Sequence, residues 1–179
     1  MTDYRQHPSV VAHWRGDTLQ PLSEALDAEE TIWFALPPEP DAEQMWEGLS
    51  GRVEAEGTAT ILAVPAYLYD INFGDRVTVM RSGENALVAT GVDHDARNFT
   101  FRILLKTDDD GAWEPLAVEL AQLGCLLDVM SPRFFAISCG EPLTQEIADR
   151  LQALERNGVL YYETGRTQQP GRKLGFRFI

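Results

Sequence analysis

The fold of this chain is decided by the stretch from Phe99 to Thr164, which reads FTFRILLKTDDDGAWEPLAVELAQLGCLLDVMSPRFFAISCGEPLTQEIADRLQALERNGVLYYET. Its first residues alternate apolar and polar side chains at the period of a half-buried strand. An amphipathic helix follows the turn at 108–111, and two apolar runs, 126–130 and 134–139, then flank a Ser-Pro-Arg turn as a hairpin. A second amphipathic helix leads to a final strand at 160–164. This order predicts a ferredoxin-like βαββαβ unit.

The residues before this unit differ in composition and hydrophobic pattern, with frequent Gly and Pro and short runs of alternating apolar and polar residues. Five short strands are predicted there without helices, at 31–36, 44–54, 58–64, 76–80 and 87–91. Such a set favours a small barrel, partly open, or a curled sheet. The expected class is therefore α+β, with a β-rich barrel-like half followed by a ferredoxin-like half. In the ferredoxin-like half, two helices would cover one sheet face and leave the other to solvent or a partner.

Four segments are expected along the chain. A poorly defined acidic N-terminal segment occupies 1–30, the barrel-like half 31–95, the ferredoxin-like half 96–166, and a basic aromatic tail 167–179. The tail contains Leu174, Phe176 and Phe178 beside Arg172, Lys173 and Arg177, so we expect Gln168 to Ile179 either to dock on an acidic surface, of its own chain or of a second copy, or to be disordered.

The net charge of −13 is unevenly distributed over the 179 residues. Between Asp17 and Glu56 there are eleven carboxylates against Arg52 alone. Such a field repels phosphates, so the acidic body is not expected to bind nucleic acid. It favours either a partner protein with a basic surface or a solvated surface that maintains solubility.

The sequence also bounds the location and the metal chemistry of the protein. No apolar run is long enough to span a bilayer, and Met1 to His13 lack the apolar core of a secretion signal, so a cytoplasmic location without membrane association is expected. Cys125 and Cys139 lie in apolar contexts and are expected to be buried, reduced thiols. Without a Cys-x-x-Cys pair or a ligand cluster, we predict no redox pair, no metal site and no cofactor.

The most motif-like stretch is Ile71-Asn72-Phe73-Gly74-Asp75-Arg76-Val77. Its Gly-Asp pair is typical of a turn that enters a strand. The alternative is a concave ligand or partner site lined by aromatic and polar side chains. The candidate residues for that site are Tyr67, Tyr69, Asp70, Asn72 and Asp75, with His94 as a sixth.

No catalytic residue is predicted. His94 lies between Asp93 and Asp95, but neighbouring residues point in different directions, and an exposed loop histidine is the preferred interpretation. The chain has no nucleophile elbow, no Ser-x-x-Lys arrangement and no phosphate-binding glycine loop. Whether the protein is an enzyme is left open, with a non-enzymatic role favoured.

The order of several short motifs resembles an uncharacterised bacterial family of domains of unknown function. These motifs are Val64-Pro65-Ala66-Tyr67, Phe73-Gly74-Asp75-Arg76-Val77, Leu123-Gly124-Cys125 and Tyr161-Tyr162-Glu163, together with Trp46 and the Pro142 that precedes a helix. The resemblance covers about Trp46 to Gly165 and implies no activity, because the family has none to transfer.

The hypothesis that combines these observations is a non-enzymatic binding protein, such as an acidic inhibitor or immunity-type protein for a basic partner. The alternative is a small-ligand or regulatory module with its site between the two halves. An enzyme that uses His94 and nearby carboxylates is the third possibility.

Overall fold

Two six-stranded sheets form the body of the protein, which we analysed as a computed structural model describing residues 3–38, 43–55, 57–107 and 109–166. In chain order the strands are β1 (Asp3–Gln6), β2 (Ala12–Arg15), β3 (Thr18–Pro21), β4 (Glu30–Ala35), β5 (Met45–Ala55), β6 (Thr58–Ile61), β7 (Arg76–Arg81), β8 (Leu87–His94), β9 (Asn98–Leu105), β10 (Leu126–Ser131), β11 (Phe134–Gly140) and β12 (Leu160–Thr164). The helices are α1 (Ser23–Leu26), α2 (Trp113–Gln122) and α3 (Thr144–Arg156), with a 3₁₀ turn at Glu141–Leu143.

The first sheet closes into a five-stranded barrel, which confirms the predicted β-rich half. Its order is β5-β4-β8-β7-β6, and a further pairing of β5 with β6 closes the ring. Closure is possible because β5 is 11 residues long: its first part pairs with β4 and its last part with β6. Gly51 lies at the crossover, where a Cβ atom would approach Ile32 to 2.8 Å. The barrel is therefore closed rather than partly open.

The second sheet confirms the ferredoxin-like unit. Its strand order β12-β9-β11-β10 is wholly antiparallel, as a βαββαβ chain requires. α2 and α3 cover one face, where fully buried Ile147 and Leu151 of α3 pack with Phe101 and Ile103 of β9. The hydrophobic periodicity that predicted these elements thus marks the side chains that form this core.

The N-terminal segment, which the sequence left poorly defined, contributes strands to both sheets. β1 pairs in parallel with β5 at the edge of the barrel. β2 and β3 form a hairpin that extends the second sheet beyond β10. The predicted division between residues 95 and 96 lies in the connection from β8 to β9.

The second face of the ferredoxin-like sheet packs against the barrel. Thr100, Arg102, Asp128 and Ser138 point to this side and are at most 2% exposed. A small apolar cluster joins the two halves at the same place and consists of Val11, Ala25, Val64 and Ala136. The sheet face that the sequence leaves to solvent or a partner is here covered by the chain's own barrel.

Two further sequence-based expectations concern membrane-spanning helices and the C-terminal tail. Among the described residues, no helix has the length and apolar character needed to cross a bilayer. The predicted docking of the tail falls on Gln168 to Ile179, which lie outside the described residues.

Candidate functional site

A buried polar cluster lies where the N-terminal segment crosses from the barrel to the second sheet. His7 stands between two carboxylates: its Nε2 is 2.8 Å from Oε1 of Glu47, and its Nδ1 is 2.8 Å from Oδ2 of Asp128. The three side chains are only 3%, 0% and 1% exposed, in that order. Glu47 belongs to β5 of the barrel and Asp128 to β10 of the second sheet, so His7 connects the two halves.

Backbone amides hold the Glu47 carboxylate in place. Oε1 accepts the N–H of Ala66 at 2.6 Å, Oε2 accepts that of Leu68 at 2.7 Å, and Tyr67 N–H lies between them. A carboxylate that accepts several backbone N–H groups is stabilised in its charged form, even when it is buried. The turn after Pro65 is thus folded around this side chain.

Asp128 is satisfied in a similar way by the N-terminal segment. Its Oδ1 accepts the Ser9 hydroxyl at 2.7 Å, and its Oδ2 accepts the backbone N–H of Val64 at 3.4 Å. The same Ser9 oxygen lies 2.8 Å from the carbonyl oxygen of Val129 and accepts the N–H of that residue. Residues 7–9 are therefore fastened to β10 through side chains as well as through the following strand.

The electrostatics of the cluster make His7 a cation at neutral pH. Burial disfavours the charged imidazole, but the hydrogen bonds and negative charges of Asp128 and Glu47 outweigh this cost and raise the pKa of His7 to about 9. In the protonated ring both nitrogens donate, which matches the acceptor on each side. The cluster lies buried between the barrel and the second sheet, and no face of the imidazole is open to a substrate.

The predicted site residues Tyr67 and Tyr69 lie in the loop that fills the space between the halves. The ring of Tyr67 packs 5.8 Å from that of Phe134, and the guanidinium of Arg5 lies 4.8 Å from its centroid. The hydroxyl of Tyr69 donates to Glu163 at 3.0 Å. Both aromatic rings thus serve the contact between loop and sheet.

Tyr69 also covers a buried charge. Its ring lies 4.3 Å from the guanidinium of Arg102, which is 1% exposed and donates to Glu163 at 2.8 Å. Burial is the main reason that the pKa of the Tyr69 hydroxyl is raised, and the nearby carboxylate adds to it. Nε and one terminal nitrogen of Arg102 have no partner among the described residues.

Asn72 and Asp75 hold the turn that enters β7, as the Gly-Asp interpretation predicts. Asp75 accepts the N–H of Asn72 at 2.8 Å and that of Ala96 at 2.8 Å, and burial raises the pKa of its carboxyl. The Asn72 side chain accepts the Thr100 hydroxyl of β9 at 3.0 Å. Asp70 is exposed with a φ of 60°, and its N–H bonds to the carbonyl of Gly165.

His94 is separate from the other five candidates. It is exposed at the end of β8, opposite Arg76, and its ring has no hydrogen bond to a carboxylate among the described residues. The loop 67–75 therefore brings five predicted residues to one interface, and the sixth lies outside it.

Sequence reasoning missed the residues that carry the most buried polar interactions: His7, Glu47, Arg102 and Asp128. A signal existed for two of them. Arg102 and Asp128 are charged residues within predicted strands, at positions that face away from the helices. No comparable signal marks His7, because its partners are 40 and 121 residues away.

An open groove lies at the edge of the interface. Its volume is about 210 Å³ and it is lined by Asp95, Arg97, Phe99, Glu141 and Arg166. Arg166 lies 4.4 Å from the Phe99 ring centroid and 3.4 Å from Asp95. Two cations and two carboxylates thus flank one aromatic ring.

Comparisons with known proteins give a family and a fold without an activity. The family model of a domain of unknown function, DUF4265, matches residues 47–162. A hypothetical protein from Neisseria gonorrhoeae has a similar crystal structure, with a TM-score of 0.65 and 14% identity over 76% of this chain and 94% of that one. No curated protein sequence matches.

Proposed function

This chain belongs to the DUF4265 family of unknown function, and we propose that it is a non-enzymatic binding protein, of the inhibitor or immunity type, for a partner with a basic surface. The observation that carries the proposal is an acidic patch on the N-terminal segment. We define it as Asp17, Glu24, Asp27 and Glu29 with the apolar Leu26 among them. All five side chains are exposed, Leu26 by 60%.

The charges of the acidic patch are not neutralised by cations of the described residues. None of its four carboxylates forms an ion pair with a cation in the part of the chain that the structure describes. Seven carboxylates elsewhere do pair with arginines, namely with Arg5, Arg52, Arg76, Arg81, Arg102, Arg150 and Arg166. Unpaired charge of one sign accelerates encounter with a partner of opposite sign. Leu26 adds an exposed apolar side chain to the same segment.

The histidines support a binding role over catalysis. The imidazole of His7 is enclosed by Glu47 and Asp128 and has no room for a substrate. The imidazole of His94 is open to solvent, and none of the described carboxylates hydrogen-bonds to it to orient it as a general base. The two free, buried cysteines fit a reducing cytoplasm, which is where we propose that the partner is found.

The test compares two variants of equal charge. In the first, Glu24→Gln, Asp27→Asn and Glu29→Gln remove three charges from the acidic patch. In the control, Glu84→Gln, Asp110→Asn and Glu114→Gln remove three exposed charges elsewhere. Affinity purification from the native host identifies proteins that the wild type and the control retain and the patch variant loses. Each is then purified and its binding measured by calorimetry at low and high salt.

We expect a basic protein whose affinity falls about tenfold or more for the patch variant and falls with salt. Equal binding by the patch variant and the control, or a partner without a basic surface, would contradict the proposal.

We also propose that the basic tail, Gln168 to Ile179, is a second means of association, because its charge complements the acidic body. Its deletion is expected to lower the thermal stability or the oligomer mass measured by light scattering. Unchanged values for both would refute this part.

The second candidate function is the binding of a small ligand in the groove between Arg97 and Arg166. Its support is the 210 Å³ volume, at the place where the β8–β9 connection meets the second sheet. A ligand that carries both an anionic and a cationic group fits this lining. Screening zwitterionic metabolites by thermal shift, with Arg166→Gln as the comparison, tests this function; a ligand that stabilises both proteins equally would argue against the groove.

A further inference from the structure

The two cysteines, 14 positions apart in sequence, meet in the core of the ferredoxin-like half. The register of β10 and β11 places Leu126 opposite Ser138. One step further along the same ladder, Cys125 lies opposite Cys139. Both are free thiols, 0% and 3% exposed, beneath α2 and α3.

Backbone hydrogen bonds define the type of this cross-strand pair. Successive residues of a strand direct their backbone N–H and C=O groups to opposite neighbouring strands. Thr100 directs its carbonyl away from β11, to the N–H of Gly165, so the preceding residue, Phe99, directs its backbone groups to β11. The N–H of Leu105, another odd-numbered residue of β9, donates to the carbonyl of Arg133 on the β11 side, which agrees with this alternation. Cys139 is the partner of Phe99. Its backbone groups therefore face β9 and leave it in a non-hydrogen-bonded pair with Cys125.

The N–H of Cys125 is occupied elsewhere, which agrees with this assignment. It donates to the carbonyl of Leu120 at 3.1 Å, in the last turn of α2. In non-hydrogen-bonded antiparallel pairs the Cα atoms are about 4.5 Å apart. Disulfides span Cα separations of about 4.4–6.8 Å, so a bond between these sulfurs requires little movement of the backbone.

We propose that Cys125 and Cys139 form a reversible disulfide and are a redox modification site of this protein. With a peroxide as oxidant, the Cys139 thiolate attacks the O–O bond and becomes a sulfenic acid, and one water is released. The Cys125 sulfur then attacks the sulfenic sulfur, the S–S bond forms, and the oxygen leaves as a second water. The two thiols lose two electrons and two protons, which the peroxide takes up.

The surroundings assign the two roles. The neighbouring Cys125 thiol is the main cause that lowers the pKa of Cys139, and the Thr144 hydroxyl, 4.0 Å away at the start of α3, lowers it further. The same contact, together with burial, raises the pKa of Cys125. The position of the Thr144 hydroxyl beside the Cys139 sulfur assigns Cys139 as the attacking thiolate and leaves Cys125 as the resolving thiol.

This inference does not depend on the proposed binding function. Wild-type protein is treated with hydrogen peroxide, its remaining thiols are alkylated after denaturation, and its intact mass and cross-linked peptides are determined. We expect a monomer that has lost two hydrogen atoms, a peptide pair joined through residues 125 and 139, and recovery of both thiols with dithiothreitol. Retention of both thiols in the folded protein, or sulfinic acid without a disulfide, would overturn the proposal.

A pair of variants provides the control. Cys125→Ala removes the resolving thiol, so the same treatment should leave Cys139 as a sulfenic or sulfinic acid. Cys139→Ala should leave Cys125 unmodified over the same time. Equal oxidation of the two single variants would overturn the assigned roles. The wild-type measurement decides the disulfide itself, even if a variant folds poorly.

Discussion

His7 is a charged residue held where a charge is costly. Its imidazolium stands between two buried carboxylates, and backbone amides and Ser9 satisfy the remaining oxygens. Taking three charges from water is unfavourable, and their mutual attraction compensates only when the geometry is good. Removal of the cation would leave Glu47 and Asp128 facing each other without a counter-charge. The contribution of this residue can therefore be measured in two ways.

The substitution His7→Ala should lower the free energy of unfolding by about 3–5 kcal/mol, as expected when one partner of a buried ion pair is removed. The matched control is His13→Ala, because His13 is half-buried in β2 and forms no ion pair in the described part of the chain. We expect the control to cost about 1 kcal/mol or less. Urea denaturation at pH 7 measures both values, and similar losses for the two variants would contradict the role assigned to His7.

The stability should also depend on pH in one direction. The pKa of folded His7, about 9, exceeds its ordinary value of 6.5, so the folded state binds the proton more tightly. This stabilisation is complete below pH 6.5 and is lost as the pH rises through 9. We expect the free energy of unfolding to fall by about 3 kcal/mol between pH 6 and pH 10. Urea denaturation of wild type and His7→Gln checks this, and parallel curves would contradict it.

The strands and helices differ in how far the sequence predicts them. α3 and β9 were predictable because their own apolar periodicity matches the face that they bury. β1 and β2 were not, because each is four residues long and pairs with a strand far along the chain, β1 with β5 and β2 with β10. The closure of the barrel likewise depends on the double pairing of β5, which no local pattern records. Long-range pairing is thus the information that the sequence pattern lacks.

Gly48 in β5 shows how one strand accommodates another. A Cβ atom there would lie 2.8 Å from the Trp33 ring and 2.9 Å from the Thr31 methyl group of β4. We expect Gly48→Ala to displace the indole and to cost about 1–3 kcal/mol. Gly83→Ala is the control, because a Cβ atom at that position has nothing within 4 Å. Thermal denaturation compares the two, and an unchanged midpoint for Gly48→Ala would show that the ring can move freely.

The barrel and the ferredoxin-like half share an interface that contains both apolar and charged contacts. The cluster of Val11, Ala25, Val64 and Ala136 joins them, and His7 and the loop 67–75 fill the adjoining space. Chain segments also cross, since the N-terminal segment supplies β1 to one sheet and β2 and β3 to the other. Neither half could lose its fold without exposing these groups to water. The two are therefore expected to unfold together.

Tryptophans in the two halves allow this to be tested. Trp33 and Trp46 belong to the barrel, whereas Trp14 and Trp113 belong to the second sheet and its helix. One variant replaces the first pair with Phe and the other replaces the second pair, so that fluorescence reports one half at a time. Cooperative unfolding requires that, within each variant, the fluorescence transition in urea coincides with the loss of secondary structure measured by circular dichroism. If the barrel signal changed at a lower urea concentration than the circular dichroism of the same protein, the polar interface would be too weak to couple the halves.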